Sequence, residues 1–193
     1  MNIFVTDPCP KRSAWILDDR RVNKMIIESL QMMAYAIARY SEDPNHLPKT
    51  KLGKPYKVNG PHKKHPCSVW AGNTRENFLW LLMHTIELIR EKEKRYPKGA
   101  TTKFYRLAVI QCFKSRRLIF KKHLQGFQNS SLHKDISDAC LAYRLTMVHK
   151  WETAKEKSNI EKRISLLPRW SNTRPPGWYE HFVSQQFNYK VSN

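Results

Sequence analysis

Asp18-Asp19-Arg20-Arg21-Val22-Asn23-Lys24-Met25-Ile26-Ile27-Glu28-Ser29-Leu30-Gln31-Met32-Met33-Ala34-Tyr35-Ala36-Ile37-Ala38-Arg39-Tyr40 is the stretch on which the reading of the fold turns. Val22, Ile26, Leu30 (or Ser29), Met33 and Ile37 recur at helical spacing, so one stripe of this segment has to face a core. A carboxylate at Asp18 or Asp19 accepts the unpaired N–H groups of a first turn and suits its positive end. A helix from there to about Tyr40 is expected. Its start also carries a dense polar cluster, in which Lys24 and Glu28 stand one turn apart and Gln31 and Tyr35 continue the face. Two readings stay open for this pair: a surface ion pair stabilising by about a few tenths of a kcal/mol, or the wall of a cleft.

Working outward, Met1 to Pro10 reads as an extended lead, at most a short strand with Ile3 and Val5 on one side. A short helix is expected over Lys11–Leu17. Ser41 to Lys64 carries Pro44, Pro48, Pro55 and Pro61 and reads as a long basic loop. Asn73-Thr74-Arg75-Glu76 resembles a capping box with Asn73 as the cap. The helix behind it should reach Tyr96 and stop at Pro97, burying Phe78, Leu81, Leu82, Thr85, Leu88 and Ile89. Further helices are expected over Thr102–Leu124 and Ser137–Lys157, the latter with Ala139, Leu141, Ala142, Leu145 and Val148 as its apolar set. Pro168, Pro175 and Pro176 make the remainder irregular, with Trp170 and Trp178 as anchors. No hairpin signal or internal repeat occurs. The expectation is a mainly α fold: one multi-helix domain over residues 1–193.

Composition narrows the function. Lys and Arg number 35 against 16 Asp and Glu, a formal charge of +19 over 193 residues. Such a field attracts a polyanion, and nucleic acid is the expected partner. Basic residues concentrate between Arg90 and Lys122 and again over Lys49 to Lys64. No apolar run is long enough for a membrane span and no leader pattern opens the chain, so a soluble intracellular protein without a membrane partner is expected. The six glycines are too scattered for a dinucleotide or P-loop signature, and no G-x-S-x-G occurs. Cys9, Cys67, Cys112 and Cys140 lie far apart and read as free thiols.

Three further groups could carry chemistry. His62, His65 and Cys67 invite a zinc reading, but H-x-x-H-x-C fits no common ligand spacing. No metal or cofactor is expected, and His65 reads better as a hydrogen-bonding or acid/base residue, with Cys67 packed. Asn73, Asn77, Trp80, His84, Glu87 and Glu91 fall on one helix face. That face suits a pocket stacking a planar base, or else a half-buried Trp with a structural histidine. Arg75 is a candidate phosphate ligand. Phe127 to Ser131 is a polar loop that could bear donors for a phosphate, and Trp170, Arg174 and Trp178 could clamp a strand or, the reading preferred, pin the tail to the core.

Several of these blocks resemble a family of small helical phage proteins. The resemblance rests on Asn2-Ile3-Phe4, on Leu17-Asp18-Asp19-Arg20-Arg21-Val22-Asn23-Lys24-Met25 with Glu28 and Gln31, and on His62, His65-Pro66-Cys67, Trp70, Thr74-Arg75, Asn77-Phe78 and Trp80-Leu81. Lys150-Trp151 and Pro176-Gly177-Trp178 match more weakly. That family is similar to the α-glutamyl/putrescinyl-thymine pyrophosphorylases, a DNA-glycosylase-like group tied to thymine hypermodification. The resemblance implies transfer of an amino acid or amine onto the methylene carbon of 5-(pyrophosphoryloxymethyl)uracil in double-stranded DNA, with loss of pyrophosphate, in a phage-infected bacterial cytoplasm. Arg20 stands where the pattern has Lys, which leaves Lys24 as the motif lysine.

Under that reading Arg20, Arg21, Lys24 and Arg75 stabilise the departing charge. Asp19, Glu28 or His65 takes the proton of the incoming amine, and Trp70 or Trp80 stacks the extruded base beside Asn77 and His84. The alternatives are excision by attack at the sugar carbon, by water or Lys24, and a non-catalytic binder of modified DNA. All require these blocks to meet in one positively lined hollow that includes Lys24, Arg75 and Trp80.

Overall fold

A computed structural model describes residues 1–97, 102–119, 126–161 and 167–182. The helices are α1 (Pro10–Ile16), α2 (Asp19–Ile37), α3 (Pro66–Asn73), α4 (Arg75–Arg95), α5 (Lys103–Ser115) and α6 (Ala139–Glu161), with short 3-10 turns at Pro44–His46, Pro61–Lys64 and Arg116–Leu118. Residues 177–182 are also helical. Among the described residues there is no strand, only an isolated antiparallel bridge between Lys49 and Pro55. The protein is therefore all-α, and the lead over Met1–Thr6 pairs with no sheet.

Local chemistry explains the helix starts. Asp18 caps α2, its side chain accepting the Arg21 N–H at 3.2 Å. Pro10 and Pro66 open α1 and α3, where a missing N–H costs nothing. The cap of α4 is Thr74, whose hydroxyl accepts the Asn77 N–H at 2.9 Å, and not Asn73. The reason is α3, an eight-residue helix that the sequence pattern does not reveal and that ends on Asn73. Fully buried Thr74 serves both as the last extended residue of one helix and the cap of the next.

Packing follows the expected stripes. Val22, Ile26, Leu30, Met33 and Ile37 are fully buried, as are Phe78, Leu81, Thr85 and Leu88 of α4. Helix α2 is central, packed on α3, α4 and α5, while α1 lies along α4. Gly72 lets α3 close on α2, since a Cβ there would come within 3.1 Å of Ala36. On α6 the expected set is corrected: Leu141 is exposed, and Tyr143, Met147 and Trp151 are buried instead. Helix α5 ends at Ser115, and the rest of the expected helix to Leu124 lies largely outside the described residues.

One buried charge ties these elements together. The Arg95 side chain is wholly inaccessible and pairs with Asp19 at 3.1 Å and Glu91 at 3.0 Å. It also donates to the carbonyls of Leu17 and Trp15, fixing the α1–α2 turn on the end of α4. Asp19 accepts from Ser171 N–H and Oγ as well, and Asn172 donates to the Arg95 carbonyl at 3.1 Å. Removing one member of such a network leaves charge buried without its partner. Arg95→Ala is expected to lower unfolding free energy by about 3–5 kcal/mol, whereas Arg106→Ala, which breaks an exposed pair with Glu93, should cost under about 1 kcal/mol; urea denaturation of the two variants checks this.

Candidate active site

The first four residues form a hook. Asn2 Oδ1 accepts the N–H groups of Ile3 and Phe4 at 2.8 and 3.1 Å, and Phe4 takes the left-handed φ of 51°. That conformation is unusual for a bulky residue. It persists because Ile3 and Val5 are sunk in the core on either side and Ser13 Oγ donates to the Phe4 carbonyl at 3.3 Å. The hook brings the chain start onto α2: Asn2 N–H donates to Glu28 Oε2 at 2.9 Å, and the Met1 α-amino group lies 3.9 Å from the same oxygen. Lys24 Nζ stands 3.3 Å from Glu28 Oε1. A largely buried carboxylate thus lies between two amines.

His65 is a neighbour of this group. Its Nδ1 accepts the Cys67 N–H at 3.2 Å as the cap of α3, so the neutral ring carries its proton on Nε2. Burial, then the Met1 ammonium and His62, push its pKa down, against a smaller pull from Glu28. The ring therefore offers a donor at Nε2 and not a free base. Among the described residues no group of three or more His, Cys, Asp or Glu could hold a metal ion.

Beside Lys24 opens a hollow of about 550 Å³. Arg20, Arg21 and Lys24 of α2 line it from one side and Lys150 and Lys157 of α6 from the other, over an apolar patch that includes Phe4 and Leu132. Asp18 is the one carboxylate among its lining residues. It is 2% exposed and committed, accepting from Arg21 Nη1 and from Trp151 Nε1 at 2.7 Å. The guanidinium of Arg21 lies over the Phe4 ring, 5.8 Å from its centroid.

The other expected residues sit elsewhere. Asp19 is enclosed in the Arg95 network. Asn77 Nδ2 donates to the Trp70 carbonyl at 2.9 Å and joins α4 to α3. Trp80 donates to the Pro8 carbonyl at 2.6 Å and stacks on His84 at 5.0 Å. Trp70 is 3% exposed, donates to the Gly126 carbonyl and packs edge-on to Trp80 at 6.0 Å. Arg75 donates to the Ile119 carbonyl at 3.3 Å. Neither Arg75 nor Trp80 lines the hollow that Lys24 lines, so the expected single concavity divides into a cationic hollow and an aromatic packing cluster. Trp170 and Trp178 close on Trp151, at 4.9 and 5.8 Å between ring centroids, and pin the tail. The hook at Met1–Phe4 and the lysines of α6 were not singled out as site residues, because nothing in their local spacing marks them.

The family described as pyrimidine dimer DNA glycosylase matches residues 1–104, more than half of the 193. The chain belongs to that family. Neither a curated protein nor a solved structure matches the chain significantly. Membership accords with the glycosylase-like resemblance of the motifs and makes this a DNA-acting, glycosylase-like protein. The matched segment contains α1 to α4, and with them the hook, Lys24 and Glu28.

His84 shows how far the aromatic cluster is removed from solvent. It is fully buried, its Nδ1 3.0 Å from the Pro10 carbonyl and its Nε2 without a hydrogen-bond partner among the described residues. Burial pushes its pKa down to about 4, opposed by the Pro10 hydrogen bond. An unfolded chain binds the proton nearer to about 6.5. Stability is thus lost as pH falls from about 6.5 to about 4, by about 3 kcal/mol. His84→Gln, which keeps a donor for Pro10, should remove that part of the dependence; urea midpoints of both proteins measured across this range test it.

Proposed function

We propose that this protein excises a modified or damaged pyrimidine, of the pyrimidine-dimer type named for its family, from double-stranded DNA by amine attack at the sugar carbon. The observation carrying the reading is the Glu28 carboxylate set between Lys24 Nζ and the Met1 α-amino group, one helical turn from a residue lining the cationic hollow. A neutral amine adds to C1′, the glycosidic bond breaks, and its electron pair leaves with the base. Glu28 stabilises the cationic sugar as this occurs and the amine's proton passes to solvent or to the base. The extruded nucleotide lies against Phe4 and Leu132 while the cations hold its flanking phosphates. In this reading the whole chain works as one unit in the cytoplasm of a phage-infected bacterium.

A second reading is favoured by the excess of cations over carboxylates around the hollow. There the base stays attached, and a free amino acid or amine displaces pyrophosphate from a 5-(pyrophosphoryloxymethyl)uracil. The arginines and lysines would then stabilise the leaving group.

The two readings differ in product. Duplexes carrying a pyrimidine dimer or the pyrophosphorylated base are incubated with the protein, with and without amines, and read by borohydride trapping and nucleoside mass spectrometry. Excision yields a broken glycosidic bond, the base freed from its sugar but still joined to its neighbour in the dimer, and a covalent adduct mapping to Lys24 or to residue 1. Transfer yields a heavier nucleoside and no adduct. Glu28→Gln is expected to lower the excision rate at least about 100-fold while duplex binding changes less than about threefold. Absence of both products from wild-type protein overturns the enzymatic reading.

A further inference from the structure

The family match ends at residue 104, yet the hollow does not. Its far wall belongs to α6, which presents Lys150 and Lys157 opposite Arg20, Arg21 and Lys24. These five cations are not equivalent. Arg21 is paired with Asp18 and Lys24 with Glu28. Arg20, Lys150 and Lys157 have no carboxylate partner among the described residues. Like charges facing one another across a gap destabilise the empty state and strengthen any anion that enters. The repulsion registers on half-buried Lys150, whose pKa is lowered by burial and then by Arg21 and Lys24.

We propose that α6 completes a phosphate-binding site, in which Lys150 and Lys157 close on a phosphate group from the side opposite Arg20. The assignment rests on the DNA-directed reading of the same hollow, and adds that the segment beyond the family match supplies half of its grip. The phosphate has two available sources: the DNA backbone, or a pyrophosphate carried by the base.

Two arms on the full-length protein separate the sources. In the first, affinity for an unmodified duplex is followed by fluorescence anisotropy against salt. Each phosphate contact contributes about 0.9 to the slope of log K against log salt. Lys150→Gln/Lys157→Gln should be shallower by about 1, and Lys150→Arg/Lys157→Arg should keep the wild-type slope. In the second, inorganic pyrophosphate is titrated calorimetrically, and its affinity should fall at least tenfold in the Gln variant if the ligand is a free or leaving phosphate. A lower slope assigns the site to the backbone. Weakened pyrophosphate binding at an unchanged slope assigns it to the leaving group. Neither change, with both variants folded by circular dichroism, overturns the proposal. A shallower slope in a protein that breaks no glycosidic bond leaves the clamp standing while the excision reading falls.

Discussion

The buried guanidinium of Arg95 is the constraint from which the rest follows. It lies at the end of a 21-residue helix, out of reach of solvent, between Asp19 and Glu91 and beneath the carbonyls of Trp15 and Leu17. A lone buried charge would be intolerable, so the two carboxylates and the carbonyls must all be present together. That requirement sets the angle at which α2 leaves α1. Because Asp19 also receives Ser171, it fixes where the distant segment after residue 167 crosses the start of α2.

Two adjacent aspartates then divide the labour. Asp19 faces inward to Arg95, while Asp18 caps α2 and turns to Trp151 and Arg21. Trp151 is in turn enclosed by Trp170, Trp178 and Tyr179. The orientation of Arg21 at the hollow is therefore tied, through one carboxylate, to an aromatic cluster built mostly by the far end of the chain. A residue at the site is positioned by packing more than 130 positions away. Such a coupling holds the start of α2 in a fixed orientation.

What could be read from the sequence is what depends on spacing. The stripes of α2 and α4, the Asp18 cap and the Pro97 stop are local patterns, and the helices stand where those patterns put them. Lys24 with Glu28 was legible for the same reason, being one turn apart. The losses are of two kinds. Helix α3 has only eight residues and no apolar stripe, so Asn73 looked like a cap when it was a helix end. Trp80, Asn77 and His84 do share a face, but helical spacing does not say what covers it. Helix α1 and its flanks cover it, and the polar atoms that suggested base recognition are bonded to Pro8, Pro10 and Trp70. The hook at Met1–Phe4 depends on Asn2 folding back on its own backbone and on Ser13 nine residues beyond Phe4. No periodicity carries that information.

The same distinction applies to charge. A total of +19 reads as one broad electropositive coat, but many of the arginines are internal clamps. Arg39 donates to the carbonyls of Ser68 and Val69, Arg75 to Ile119, Arg144 to Thr6 and Arg95 to the turn before α2. A guanidinium with a carbonyl on its fork holds two backbone segments together, and turning it toward a phosphate would break that joint. Such guanidiniums keep their charge, but fewer cations are free to contact a polyanion directly than the composition suggests. One place where cations outnumber carboxylates around a concavity is the gap between α2 and α6, whose lining includes Lys24, one turn from Glu28. Lys24 belongs both to that lining and to the ion pair with Glu28, so the cationic hollow and the Glu28 carboxylate are joined through one side chain.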